Sequence, residues 1–186
     1  MKNNNLNGID TTRLLETINA VRENPSLAKF QFRTKSTWMN GGHSRSVIKG
    51  FFGAGKEDDT RATSFIFDTG QPASLLGNDD GPTPVEYVLL ALAGCLTNSI
   101  IYYCAAKGIT IEDVELELEG NFDLRFIFGF PENDENIEDN IKVNIRIKGN
   151  NLSVNDKKFL AGLGKKTSPV YRIITSSFPV EVVVEN

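Results

Sequence analysis

Cysteine and histidine are scarce in this chain: two cysteines and one histidine among 186 residues. Zinc takes four such ligands in a structural site and three plus water in a catalytic one, so no metal site is expected. Cys95 and Cys104 do not form a bridge within one intact helix. Their separation in sequence corresponds to about 900° of rotation and ~13.5 Å of rise, whereas a disulfide needs Cα atoms within about 7 Å. Basic runs are missing as well. With 20 Lys and Arg against 24 Asp and Glu the formal charge is −4, and no basic stripe is available to neutralise phosphates, so nucleic acid is not expected as a partner. No segment near Met1 joins a basic start, an apolar stretch and a small-residue cleavage site. A cytoplasmic protein with reduced thiols is therefore expected. The stretch Gly53-Ala54-Gly55-Lys56 lacks the spacing of a phosphate loop and a following Ser or Thr, which leaves a tight turn and no expected cofactor.

What the chain does have is a long run without formal charge, Tyr87 to Ala106. Helix signals frame it. Thr83-Pro84-Val85-Glu86 has the form of a capping box, with Pro84 at the first helical position. Lys107 and Gly108 supply a cationic last turn and a residue free to take the left-handed conformation. A helix from Thr83 to Gly108 is expected, roughly 36–38 Å long. That length suits a membrane span. Thr97-Asn98-Ser99 at its centre and flanks without cationic clusters argue instead for a helix buried in protein, with no membrane partner.

Around it the pattern is that of an α+β domain. Thr11 to Arg22 carries Leu14, Leu15, Ile18 and Val21 at helical spacing, and Asn24-Pro25 stops it. Lys29 to Trp38, Arg45 to Phe52 and Arg61 to Asp68 are β-compatible, with Asn40-Gly41-Gly42 as a turn. A loop from Thr69 to Pro82 leads into the long helix. After it, Val114, Leu116 and Leu118 alternate with glutamates, and Ile141, Val143, Ile145 and Ile147 alternate with Lys142, Asn144, Arg146 and Lys148. If these strands pair, their acidic and basic faces attract across the ladder. Phe122 to Pro131 is expected as a strand end and exposed loop. Ser153 opens a helix that Gly164 is expected to end, Ser168-Pro169 starts a short one over Val170 to Thr175, and Pro179 to Glu185 is expected to close the fold as a strand.

The stretch GPTPVEYVLLALAGCLT, followed some seventy residues later by SPVYRIITSSFPVEV, resembles the two helical motifs of the OsmC/Ohr superfamily, the osmotically inducible and organic-hydroperoxide-resistance proteins. The resemblance runs over roughly Thr37 to Asn186, with residues 1–36 as an N-terminal helical arm and lead-in strand. It implies an α+β fold with antiparallel sheets packed on a long Cys-bearing helix, two chains intertwined as a homodimer, and sites at the interface. In the peroxidase members a thiolate attacks an organic hydroperoxide, a second cysteine resolves the sulfenic acid, and an Arg and a Glu tune the thiolate.

Carried onto this chain, the resemblance places Cys95 on the peroxidatic cysteine. Ser168 stands where the peroxidases have their second cysteine, so an internal disulfide cycle is not available and an external thiol reductant is implied. The acid ten residues before the cysteine is Val85 here, and Glu86 lies one position further, about 100° around the helix; Glu86 is the candidate catalytic acid, and the capping box is the alternative reading. Arg45 is the candidate cation. His43, two residues away on a strand, shares its side, and a cation lowers a thiol pKa from near 8.5. A turn-proximal surface pair is the alternative reading for those two, and Arg61 and Arg172 are alternative cations. Asn98, Ser99 and Tyr102 share the Cys95 face and are candidate binding residues, as is Ser168, with the satisfaction of buried polar contacts as the alternative reading for the three on the helix; Cys104 is expected in the core. Two functions follow: a one-cysteine hydroperoxide reductase, or a non-catalytic protein that binds a small apolar ligand.

Overall fold

The computed structural model describes residues 4–130 and 139–184. Pro131 and Glu185, the ends of two expected segments, lie outside them. The chain divides into two compact units. The first holds residues 10–88 with the residues before Leu6, and the second holds Leu6–Ile9 and Leu89 onward.

A hairpin of β1 (Asn5–Leu6) and β2 (Ile9–Asp10) opens the chain. Its turn residue Asn7 has φ 53°, and its side-chain amide donates to the Ile109 carbonyl at 2.9 Å and accepts from the Ile111 amide at 2.9 Å. That part-buried pair ties the chain start to the turn that follows the long helix. Helix α1 (Thr11–Glu23) follows, with Asp10 accepting from the Arg13 amide at its N-cap. Asn24 both stops it and caps the 3-10 turn Pro25–Ala28, the dual use that short polar side chains allow.

The β-rich part of the first unit departs from the sequence expectation in one way. Two expected strands are each broken in the middle. Lys29–Trp38 divides into β3 (Gln31–Phe32) and β4 (Lys35–Asn40), and Arg45–Phe52 divides into β5 (His43–Ile48) and β6 (Phe51–Gly53). The pieces go to different sheets: β3-β6-β7, with β7 at Lys56–Asp58, and β4-β5-β8, with β8 at Phe65–Thr69. Gly50 marks one switch, because a Cβ there would meet the Asp59 carboxylate at 2.3 Å. The expected strand Arg61–Asp68 is shortened at its start, since Arg61 leaves the ladder to stack between Phe51 and Phe65. Ala54 and Gly55, at φ 49° and 81°, form the expected tight turn between β6 and β7.

Helix α2 spans Pro84–Lys107. Its capping box is complete: the Thr83 amide donates to Glu86 at 2.7 Å and the Glu86 amide to Thr83 Oγ1 at 3.3 Å. At the other end Gly108 takes φ 71° and the Ile109 amide reaches back to the Cys104 carbonyl at 2.9 Å, the backbone arrangement that closes many helices. Among the described residues α2 is the helix long and apolar enough to cross a membrane. In the second unit Leu92, Leu96, Ile100, Cys104 and Ala105 of this helix are buried in protein.

Strands β9 (Asp113–Asn121) and β10 (Asn140–Lys148) pair antiparallel, with Glu115 opposite Arg146 and Asp113 opposite Lys148. The expected charge complementarity is realised in ion pairs Lys148–Asp113 at 2.9 Å, Lys142–Glu119 at 3.8 Å and Arg146–Glu115. Exposed pairs of this kind add little each; the apolar inner face sets the register, since a one-residue slip would turn every aliphatic outward. That face meets α2 in the core cluster Ile100, Cys104, Ile147 and Leu160.

Leu160 comes from α3 (Val154–Thr167), whose Ser153–Asp156 capping box is also complete. Gly164 does not end α3. It lies inside the helix, buried, and a Cβ there would meet Leu96 Cδ2 at 2.7 Å. The glycine is there for close helix packing, a use that composition alone does not distinguish from a cap. Ser168 stops α3 and caps α4 (Pro169–Thr175), accepting from the Tyr171 amide at 3.0 Å. The expected closing strand does not form among the described residues: 177–184 carries no strand, and Val180, Val182 and Val184 are each more than 80% exposed. Alternation of valines encodes a β-capable edge, but a strand needs a ladder partner.

Candidate functional site

The sequence-predicted residues fall into two groups, one in each unit. In the first unit β5 carries His43 and Arg45, which project to the same side as the strand period requires. They converge on Asp68, a residue of β8 that sequence reasoning had only as the end of a strand. Arg45 Nε donates to Asp68 Oδ1 at 2.8 Å and Arg45 Nη2 to Oδ2 at 3.2 Å. His43 Nε2 lies 2.8 Å from the same Oδ1, and His43 Nδ1 faces Asp80 Oδ1 at 3.9 Å. The signal that finds Asp68 is register: it stands directly opposite Arg45 in the β5–β8 ladder.

Backbone packing holds Asp68 in place. The Tyr87 hydroxyl donates to its carbonyl at 2.8 Å. Gly81 lies against the same carbonyl so closely that a Cβ would stand 2.2 Å from the oxygen. The Gly70 amide donates to the Pro82 carbonyl at 3.2 Å and fastens the loop end beside it. The charges respond accordingly. Hydrogen bonds from Arg45 and then His43 hold the Asp68 carboxyl below the usual range, and the Asp68 hydrogen bond raises the Arg45 guanidinium above its ordinary value.

Glu86, at the start of α2, is engaged locally. Its carboxylate caps Thr83, and hydrogen bonds from the Thr83 amide and then its hydroxyl hold its pKa low. Arg61, one of the alternative cations, is clamped with its guanidinium 5.1 and 5.2 Å from the Phe51 and Phe65 ring centres and its Nη1 on the Lys49 carbonyl at 2.7 Å.

In the second unit Cys95 is half-buried, and Cys104 is fully buried in the core with its thiol pushed up by that burial. Desolvation disfavours a thiolate, so Cys104 is a packing residue. On the Cys95 side of the helix Asn98 is exposed and Tyr102 is 49% exposed. Ser99 spends its hydroxyl on the Cys95 carbonyl at 2.9 Å. Ser168 is 2% exposed and committed to its cap. Beside it opens a cavity of 250 Å³ lined by Lys166, Arg172, Ile173 and Phe178 among others, so the alternative cation Arg172 belongs to the unit that carries Cys95.

A family model for OsmC-like proteins matches residues 77–183, more than half of the chain. The chain belongs to the OsmC-like family. Solved structures agree on the fold. An OsmC like protein from Mycoplasma pneumoniae superposes with a TM-score of 0.56 at 15% identity, over 79% of this chain and 89% of the other. The organic hydroperoxide resistance protein OsmC from Legionella pneumophila gives 0.55 at 18% identity, over 78% and 89%. An OsmC-like protein of unknown function from Vibrio cholerae gives 0.51 at 9% identity, over 78% and 94%. Comparison with curated proteins returns no match. The fold is thus OsmC-like, an α+β arrangement of helices and antiparallel sheets, as the two motifs led us to expect.

Proposed function

We propose that this protein is a one-cysteine, thiol-dependent organic hydroperoxide reductase with Cys95 as its nucleophile. The observation that carries the reading is the contrast between two thiols of one helix: Cys95 is half-buried and Cys104 has no exposure. The Cys95 thiolate attacks the outer oxygen of the hydroperoxide. The O–O bond breaks, the departing alkoxide takes a proton and leaves as the alcohol, and the sulfur is oxidised to sulfenic acid. One external thiol condenses with the sulfenic acid, releasing water and forming a mixed disulfide. A second external thiol displaces Cys95 and leaves as the external disulfide. Ser168 has no sulfur with which to resolve the intermediate internally.

In this reading Arg45, with His43 beside it, is the assigned activating cation. Glu86, bound to its own cap, is a helix-start residue first. Asn98, Ser99 and Tyr102 form the substrate-side face of the helix. The protein acts as a cytoplasmic homodimer; the apolar residues that the first unit leaves exposed, Phe32 and Trp38 at 72% each, support a second copy as partner, and sedimentation tests it.

A second reading, a non-catalytic protein that takes a small apolar ligand, draws on Ser168 and Glu86, whose polar atoms are both occupied by helix caps. Turnover separates the two. With cumene hydroperoxide and dithiothreitol, wild type is expected to consume peroxide and Cys95→Ser is not. Equal rates for both would sink the enzyme reading.

A further inference from the structure

We propose that the cavity beside Ser168 admits the external thiol, and that this thiol is a small one carrying a carboxylate; the inference rests on the reduction cycle assigned to Cys95. The cavity, 250 Å³ in volume, is lined by Lys166, Thr167 and Arg172 and by the apolar Ile173 and Phe178. No carboxylate lines it. The basic residues of β10 each face an acid, Lys142 on Glu119, Arg146 on Glu115 and Lys148 on Asp113. Lys166 and Arg172 have no acidic partner among the described residues. Two unpaired cations beside an apolar wall match an organic acid. Its carboxylate can take a forked pair of hydrogen bonds from the arginine and the point charge of the lysine. Its hydrocarbon part can cover Ile173 and Phe178, which are 49% and 51% exposed. The volume is below the roughly 300–1,000 Å³ of sites for drug-sized ligands, so the molecule that fits is small.

Its place in the second unit suits the reducing step. Gly164 packs so closely on Leu96 that a Cβ would stand 2.7 Å from Leu96 Cδ2, and Leu96 adjoins Cys95 in the chain. The Ser168 amide donates to the Gly164 carbonyl at 2.9 Å, so Ser168 at the cavity wall is one helical turn from that contact. Ser168 offers no sulfur, and the sulfur that reduces Cys95 has to arrive from outside. There the thiolate of the organic acid attacks the sulfenic sulfur of Cys95. The S–S bond forms, the S–O bond breaks, and the departing hydroxide takes a proton and leaves as water. A second molecule of the same thiol displaces Cys95 as thiolate and leaves as the symmetrical disulfide. Two thiols thus return the two electrons that the hydroperoxide removed.

The test starts from full-length protein oxidised by stoichiometric cumene hydroperoxide. Loss of the Cys95 sulfenic acid is then timed, by dimedone trapping of what remains, with 3-mercaptopropionate, 2-mercaptoethanol or cysteamine as the thiol. The readout is the rate with the anionic or the cationic thiol divided by the rate with the neutral one, compared between proteins so that each thiol's own reactivity cancels. Replacing both cations, Lys166→Gln with Arg172→Gln, is expected to lower the mercaptopropionate ratio about tenfold and to raise the cysteamine ratio, the order that two solvent-exposed charges supply. The charge-keeping pair Lys166→Arg with Arg172→Lys retains most of the mercaptopropionate ratio, which separates charge from a folding defect. Raising the ionic strength from 0.15 to 1 M shortens the screening length from about 8 to about 3 Å and brings the wild-type ratio toward that of the neutralised variant. The proposal is overturned if neutralisation leaves the mercaptopropionate ratio unchanged, or if the mercaptopropionate and cysteamine ratios fall together. A wild type that forms no sulfenic acid on Cys95 is a different failure, seen before any thiol is added; it removes the reductase reading and this inference with it.

Discussion

In the second unit Ile100, Cys104, Ile147 and Leu160 pack into one buried cluster, whereas the first unit has no buried hydrophobic side chain among the described residues. The first unit is joined by other means: short antiparallel ladders, an aromatic series from Phe32 through Phe30 and Phe51, and the Asp68 cluster. The difference assigns different consequences to like substitutions. Loss of a methyl group is felt through packing in one unit and hardly at all in the other, while the first unit depends on backbone fit and on charge.

The comparison is sharpened most by truncating the core. Leu160→Ala is expected to cost about 2–5 kcal/mol of unfolding free energy, the range for a buried leucine, and urea denaturation measures it. Next comes the backbone of the first unit. Gly81→Ala places a methyl group 2.2 Å from the Asp68 carbonyl oxygen and is expected to cost about 1–3 kcal/mol by overpacking, with the Asp68 cluster displaced in consequence. An acid titration probes its charges. The folded Asp68 carboxyl lies below its ordinary 3.8, so its contribution is present above that pH and is lost as the pH falls through the folded value. The stability gap between wild type and Asp68→Asn should therefore narrow below about pH 4; a gap that stays constant with pH would show that the pairing contributes nothing. The smallest effect is expected at Phe32, 72% exposed. Phe32→Ala should change monomer stability by less than about 0.5 kcal/mol, and a loss matching that of Leu160→Ala would erase the contrast between the units.

The long helix, its two ends, the β9–β10 pair with its facing charges and the Ser168 cap were all legible in the sequence. Each is encoded locally, by a capping residue, a period or a glycine after the last turn. Where the encoding is tertiary, sequence reasoning failed. The strand breaks between Phe32 and Lys35 and at Gly50, the late start of β8 at Phe65, and the packing glycine at 164 depend on what lies opposite them. The valines from 180 to 184 had the right period but find no partner strand among the described residues. Of the candidate site, His43 and Arg45 were correctly placed on one side of one strand; Asp68 was invisible because it is defined by the β5–β8 register, and a single sequence does not show which strands are neighbours.

The central claim is that the two thiols of α2 differ in kind. Wild-type protein treated with cumene hydroperoxide in the presence of dimedone, then cleaved after Lys and Arg, yields both cysteines in one peptide between Arg61 and Lys107, and fragment ions locate the adduct. The account predicts a sulfenic acid adduct on Cys95 and none on Cys104. No adduct on Cys95, or equal labelling of both cysteines in folded protein, would contradict it.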